Sequence, residues 1–509
     1  MISRVGDRGG LAVAAALVVI LLGAAAARFV DLSTNPGGLN PDEAAEAVSA
    51  RQILRDPGYR PVFIIEDGGR EALFAYSVAA GFAIAGDNAT TLRAVAAIWG
   101  ILGVLGAWLI ARRFGKGAGL AAGAWAAGSL WLIAISRDGM RNTFTPFFLA
   151  IALVALLAWY DRPTRRTALL AGATLAISSL YTYQALKLLP FLVLIWVLWL
   201  RRSDLVTFRR LVSQGGWFVA SFLIVGAPMI AFAISDPQNY LGRAIGVSAF
   251  NPAIVLESDI PTHVLRTLSM FAFVGDPNVR HNVASLPMLS WPLVIFAIAG
   301  LVVLWRRRNN ARHALILLSI PVFLIPPLLS TEGGSPHFLR ALGLAIPVAV
   351  AIGLGAQDLG QRFSVVLTRI AASTPRIPPS LVTAASTGAF AAVFLALGIS
   401  SAWAYLGRPE VDRREAFRFD LVDMAEAARP ADAVIASEFD AFTVEYIHDD
   451  PQPTIVRPGQ PIASGAFDRV LAVRVEELRA ALGTEAAATA VPVAWDPAGQ
   501  PTVWAVTLR

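Results

Sequence analysis

The chain has 509 residues, of which 56% are hydrophobic and 15% charged, and its mean hydropathy is +0.60. A water-soluble domain carries roughly a quarter charged residues, so a soluble globular enzyme is excluded and a polytopic α-helical membrane protein is expected. Cysteine is absent, which excludes disulfides and thiolate metal sites; the five histidines show no HExxH-type spacing and leave little room for zinc.

Apolar runs of about the length that crosses a bilayer, roughly 20 residues, recur along the chain. They fall at 11–30, 90–111, 118–135, 143–160, 168–184, 188–200, 213–234, 291–305, 314–330, 341–356 and 381–403, about eleven spans. The first has no small-residue cleavage motif and reads as an uncleaved anchor. Basic residues cluster at Arg4/Arg8, Arg112/Arg113/Lys116, Arg162/Arg165/Arg166, Arg201/Arg202/Arg209/Arg210, Arg306/Arg307/Arg308/Arg312 and Arg362/Arg369/Arg376. These occupy every second connection, which is the pattern of cytoplasmic loops with the N-terminus inside. The formal charge of +6 is thereby assigned to the membrane and not to nucleic acid.

The opposite, extracytoplasmic face then receives 31–89, 136–142, 185–187, 235–290, 331–340 and the tail. Within the first of these, "NPDEA" at 40–44 reads as a helix start: Asn40 as cap, Pro41 at the first position and Glu43 three residues after the cap. Asp42 and Glu43 suit that role because the helix dipole favours acids there. A carboxylate fixed at the lipid surface also suits a general base, and the two roles are compatible. Residues 70–87 are apolar but short, and predict a helix at the outer interface.

Arg93 stands just inside the second span, where an arginine is costly enough to imply function. "ISRDGMRN" places Arg137, Asp138 and Arg141 on an outer turn. If the turn is helical, Arg137 and Arg141 share a face and can grip a phosphate; lipid-headgroup contact with an Asp138 ion pair is the alternative. Tyr181, Tyr183 and Gln184 sit at an outer end beside Lys187, an isolated cation on the cation-poor face. In the long outer loop at 235–290 Asp276, Asn278, Arg280, His281 and Asn282 gather near Gly275 and Pro277, which point to a fixed turn. His337 and Arg340 stand at the top of a later span. After residue 403, short β-type runs alternate with helix-forming ones, predicting a small α/β domain. The chain divides into a membrane domain, 1–403, with the first outer loop at 31–89, and an extracytoplasmic α/β domain, 404–509.

The order of these motifs resembles the integral-membrane GT-C glycosyltransferases, in particular the family 39 group of protein O-mannosyltransferases and lipid A aminoarabinose transferases. The likeness rests on "NPDEA" (40–44), "GDNATTLRAVAAIWGILGVLGAWLIARRFG" (86–115), "SRDGMRN" (136–142), "GDPNVRHN" (275–282) and "HFLRALGLAIP" (337–347), and spans roughly residues 8–350. It implies a polyprenyl-phosphate-linked sugar as donor, an unknown protein, lipid or polysaccharide acceptor, and transfer on the extracytoplasmic face of the cell membrane. Asp42 is then the base, with Glu43 beside it; Arg137 and Arg141 fall where the family places phosphate or substrate contacts. The family's "PPLYYW"-type stretch is here "REALFAYSV", without the paired prolines.

On this reading Arg93, Arg137, Asp138, Arg141, Tyr183, Lys187, Arg280, His281, His337 and Arg340 are candidate substrate-binding residues. A divalent metal at Asp42, Glu43 and Asp138 is compatible but not required. No P-loop or dinucleotide fingerprint occurs. The competing readings are a transporter or flippase of lipid-linked sugars, whose polar site would lie at the midplane, and a non-catalytic subunit of envelope polysaccharide synthesis.

Overall fold

The computed structural model describes the chain except residues 1–2, 67, 250, 252–258, 373–378, 450, 464 and 509; for 3–9, 371–372 and 379–387 it describes the backbone alone. Arg376 of the last basic cluster lies outside the described residues.

Helices dominate. α1 (Ser3–Phe29) leads to α2 (Pro41–Arg55), a two-residue hairpin of β1 (Phe63–Ile64) and β2 (Arg70–Glu71), and α3 (Leu73–Ala85). Then follow α4 (Ala89–Ala111), α5 (Lys116–Gly128), α6 (Leu130–Ser136), α7 (Thr145–Asp161), α8 (Arg165–Leu180), α9 (Leu189–Ser203) and α10 (Leu205–Ser235). The long loop carries α11 (Pro237–Gly246) and α12 (Ile260–Ser269), and the bundle closes with α13 (Trp291–Arg306), α14 (Ala311–Leu329), α15 (Ala345–Ala372) and α16 (Pro379–Leu406).

Each expected span coincides with a helix, but among the described residues length and apolarity together qualify eight of them, or nine when α5 and α6, bent by 57°, count as one broken span. The difference from eleven lies in α8 and α13, each of 16 residues. The chain is a multi-pass membrane protein. α1, α10 and α16 form the periphery: Val19, Ile224 and Trp403 are 68%, 73% and 78% exposed, as lipid-facing side chains are. α7 and α15 are the centre, and their apolar windows are mostly buried. The helix expected within residues 70–87 is α3; at 13 residues it is too short to span, and it packs its Phe74, Val78 and Phe82 inward.

Close backbone approach makes the α13–α15 crossing. A Cβ on Gly300 would stand 1.7 Å from the Ala351 carbonyl oxygen, and one on Gly355 would stand 1.8 Å from that of Phe296. With no hydrophobic driving force between helices in lipid, such small-residue contacts are the source of packing energy.

The tail contains α17 (Glu410–Ala416), α18 (Phe419–Ala427), β3 (Ala433–Ile435), α19 (Ala441–Ile447), β4 (Thr454–Val456), β5 (Arg469–Ala472), α20 (Val475–Leu482), α21 (Thr484–Ala487), β6 (Val491–Trp495) and β7 (Pro501–Thr507). Its sheet runs in the order β4-β3-β5-β7-β6; β3 pairs parallel with β4 and β5, and β7 antiparallel with β5 and β6. Leu421, Met424 and Val444 cover one face, Leu478 and Ala481 the other. This is a small two-sided α/β unit, in line with the alternation of short β-type and helix-forming runs after residue 403.

Gly300→Ala or Gly355→Ala should push α13 from α15 and destabilise the bundle by about 1–3 kcal/mol. A lower melting temperature in detergent checks this, with Gly215→Ala, which meets nothing within 4 Å, as the control.

Candidate functional site

α2 starts where its cap residues place it. The Asn40 side chain accepts from the Asp42 N–H at 3.0 Å, and the Asn40 N–H donates to Glu43 Oε2 at 3.3 Å, closing a capping box. That box sends two neighbouring carboxylates in different directions. Glu43 turns inward and is fully buried. It accepts Arg93 Nε at 2.8 Å, Arg93 Nη2 at 2.7 Å and the Gly139 N–H at 2.8 Å. Arg93 Nη2 also donates to the carbonyls of Gly37 and Gly38, at 3.0 and 2.9 Å. Two-pronged pairing of this kind fixes position as well as charge.

Asp42 faces the other way. Its side chain is 12% exposed and takes Arg280 Nη1 at 2.9 Å. Burial would raise its pKa, but Arg280, then Arg243 and Arg141, outweigh burial and hold the carboxyl below its ordinary value. It is therefore ionised at neutral pH. Asp138 is buried alongside, with Oδ1 lacking a hydrogen-bond partner among the described residues. Burial, then the Glu43 charge, push its pKa up to about 7, against Arg280 and Arg93. Among the described residues Asp42, Glu43 and Asp138 do not come together as a group able to hold a divalent metal, and Glu43 and Asp42 are engaged by Arg93 and Arg280.

One turn along α2, Glu46 accepts Arg141 Nη1 at 3.0 Å and faces Arg70 Nε at 3.6 Å. Glu71 on β2 faces Lys187 Nζ at 3.1 Å and Arg141 Nε at 4.0 Å. Lys187 also lies 4.0 Å above the Tyr240 ring. Tyr183 is adjacent: burial raises its pKa, while Arg340, Arg243 and Arg141 draw it down in part. Arg340 approaches Glu332 at 3.5 Å, and its Nη1 is buried without a hydrogen-bond partner among the described residues. Asp42, Arg280, Arg141, Tyr183, Lys187 and Arg340 thus border one polar region built from several separate helices and loops.

Arg137 does not join it. It donates to the carbonyls of Ala27 (3.1 Å), Val30 (2.9 Å) and Asn35 (2.6 Å) and sits 5.2 Å from the Tyr405 ring. The shared face expected of Arg137 and Arg141 requires a continuous helix, but α6 ends at Ser136 and a 3-10 turn begins at Arg141. Arg137 is a brace for the end of α1. Tyr181 is occupied with the Val225 carbonyl at 2.8 Å. Arg93 and Glu43 are a buried structural pair. His281 and His337 stand behind Arg280 with Asp276.

Glu46, Glu71, Arg70 and Arg243 were not singled out in the sequence. Glu46 is four residues from Asp42, on the same helix face, and that spacing was the available signal. The tail closes the region from outside: Arg51 donates to Asp87 at 2.6 Å and to the Tyr446 carbonyl at 3.1 Å, and Arg408 Nη1 donates to the Val279 carbonyl at 2.8 Å.

Residues 72–234 match the model of the dolichyl-phosphate-mannose-protein mannosyltransferase family. No curated protein matches the chain at a significant level. Among solved structures, the chain is similar to ArnT from Cupriavidus metallidurans bound to undecaprenyl phosphate, with a TM-score of 0.55 and 15% identity over 96% of this chain and 97% of that one. It is also similar to the Archaeoglobus fulgidus oligosaccharyltransferase in the apo form, with a TM-score of 0.53 and 14% identity over 96% of this chain and 74% of that one. A third is the arabinofuranosyltransferase AftD from Mycobacteria, with a TM-score of 0.51 and 16% identity over 97% of this chain and 41% of that one.

Arg93→Met should leave Glu43 buried without its cation, costing about 3–5 kcal/mol and appearing as aggregated protein on size exclusion. Pairing it with Glu43→Met should recover much of the folded fraction. In fold the chain is similar to these three transferase structures, and its residues 72–234 match the mannosyltransferase family model.

Proposed function

We propose that this protein transfers a sugar from a polyprenyl-phosphate donor to an acceptor hydroxyl at the extracytoplasmic membrane face, with Asp42 as general base. The observation that carries this reading is the division of labour in the capping box: Glu43 is fully engaged, while Asp42 stays ionised and reachable on a rigid helix end. The similarity to a structure bound to undecaprenyl phosphate supports the donor class, and the family-model match supports sugar transfer.

Asp42 takes the proton of the acceptor hydroxyl as its oxygen bonds to the anomeric carbon. The bond from that carbon to the phosphate oxygen breaks, and its electron pair leaves with the polyprenyl phosphate. A single displacement of this kind inverts configuration. Arg280, Arg340, Arg243 and Lys187 supply the positive charge that a departing phosphate needs, in a site where burial strengthens each interaction. Tyr183 and Arg141 border the same space.

Asp42→Asn should lower transfer at least about 10²-fold while the melting temperature holds, in an assay with purified protein and a panel of polyprenyl-phosphate sugars. Retained turnover would remove Asp42 as base. Arg280→Gln removes a cation that holds the Asp42 pKa down, so the ionised base is lost at higher pH on acidification. The acid limb of the pH–rate profile should therefore move to higher pH; an unmoved limb would show that another group titrates.

A further inference from the structure

Asp276, His281 and His337 come together from two loops that are far apart in sequence. One ligand atom of each lies within 4.8 Å of the other two. All three are buried, the side chains of Asp276 and His281 at 0% and 2% exposure and that of His337 at 12%. His281 Nδ1 is 3.3 Å from Asp276 Oδ2, and His337 Nδ1 is 3.9 Å from the same oxygen. When His281 Nδ1 donates to that oxygen, Nε2 keeps a lone pair. That Nε2, like His337 Nδ1, is buried without a hydrogen-bond partner among the described residues. Buried ring nitrogens are rarely left so.

We propose that Asp276, His281 and His337 bind a zinc-type divalent cation that ties the loop carrying Arg280 to the loop carrying His337. Two imidazoles and one carboxylate suit zinc or a similar borderline ion over magnesium or calcium, which prefer oxygen alone. Tetrahedral zinc with ligands at about 2.0–2.2 Å needs ligand atoms roughly 3.4 Å apart, and one ligand atom from each of the three residues lies within 4.8 Å of the others. Asp276 also accepts the N–H groups of Asn278 (2.8 Å) and Phe338 (2.6 Å), outer contacts of the sort that hold a ligating carboxylate in place. The nearby cations do not oppose the ion unscreened: Arg280 is paired with Asp42 and Arg340 approaches Glu332.

The consequence is positional. His281 follows Arg280 directly, so an ion at this place fixes the backbone that aims Arg280 at Asp42. It is separate from Asp42 and Asp138 and takes no part in proton transfer. This assignment stands whether or not the transferase reading does, because it is tested by zinc itself.

The detergent-purified full chain, stripped with a chelator and titrated with zinc, should bind about one equivalent and melt at a higher temperature when loaded. His281→Gln and His337→Gln should each weaken zinc binding at least about tenfold and abolish the melting shift. His337→Cys, which keeps a ligand, should retain both. A wild-type chain that takes up no zinc and shows no shift overturns the proposal, as does uptake by both glutamine variants equal to that of wild type. The wild-type titration decides even where a variant fails to fold.

Discussion

The Glu43–Arg93 pair is the constraint on which the site depends. An ion pair that leaves water is stable only with near-ideal geometry and with its remaining polar atoms satisfied. Here two prongs join the charges, while the Gly139 and Asn40 N–H groups and the Gly37 and Gly38 carbonyls complete both partners. The pair therefore joins α2, α4, the turn after α6 and the loop after α1 at one point. The direction of Asp42 follows from it, because the same capping box that delivers Glu43 to Arg93 leaves the preceding side chain pointing outward.

Around this point the charges form an alternating network and not an open basic patch. Glu46 and Glu71 neutralise Arg141 and Lys187, and Asp42 neutralises part of Arg280. Such a network holds several cations in low-dielectric surroundings without the repulsion that bare clustering would bring. Any anion entering this region competes with carboxylates already in place, so binding amounts to an exchange of anionic partners.

Much of the bundle was legible because lipid imposes a simple rule, roughly 20 apolar residues per crossing, and the segments so marked are helices. The count was less secure: α8 and α13 are short, and only packing against neighbours places them. In the loop after α1, the helix start at Asn40–Glu43 could be read because capping is local chemistry. The fate of Arg137 could not, since its carbonyl partners Ala27, Val30 and Asn35 are about a hundred positions away. The same holds for Asp276, His281 and His337. Motif spacing finds metal ligands on one turn or helix, whereas these meet through tertiary folding, so the histidine count alone pointed away from zinc. Glu71 lay in a stretch read for its apolar character, and its role emerges only opposite Lys187.

The two glycines after α1 carry a consequence for how such a chain can diversify. A Cβ on Gly38 would stand 2.3 Å from the Phe417 carbonyl oxygen, and one on Gly37 2.5 Å from the Phe419 ring; both glycines have positive φ, where any other residue is strained. The tail thus seats itself directly on the segment that presents α2. It is not an interchangeable module: a tail of different shape at Phe417–Phe419 would demand a different Gly37–Gly38 turn, and the two ends of the chain must vary in concert.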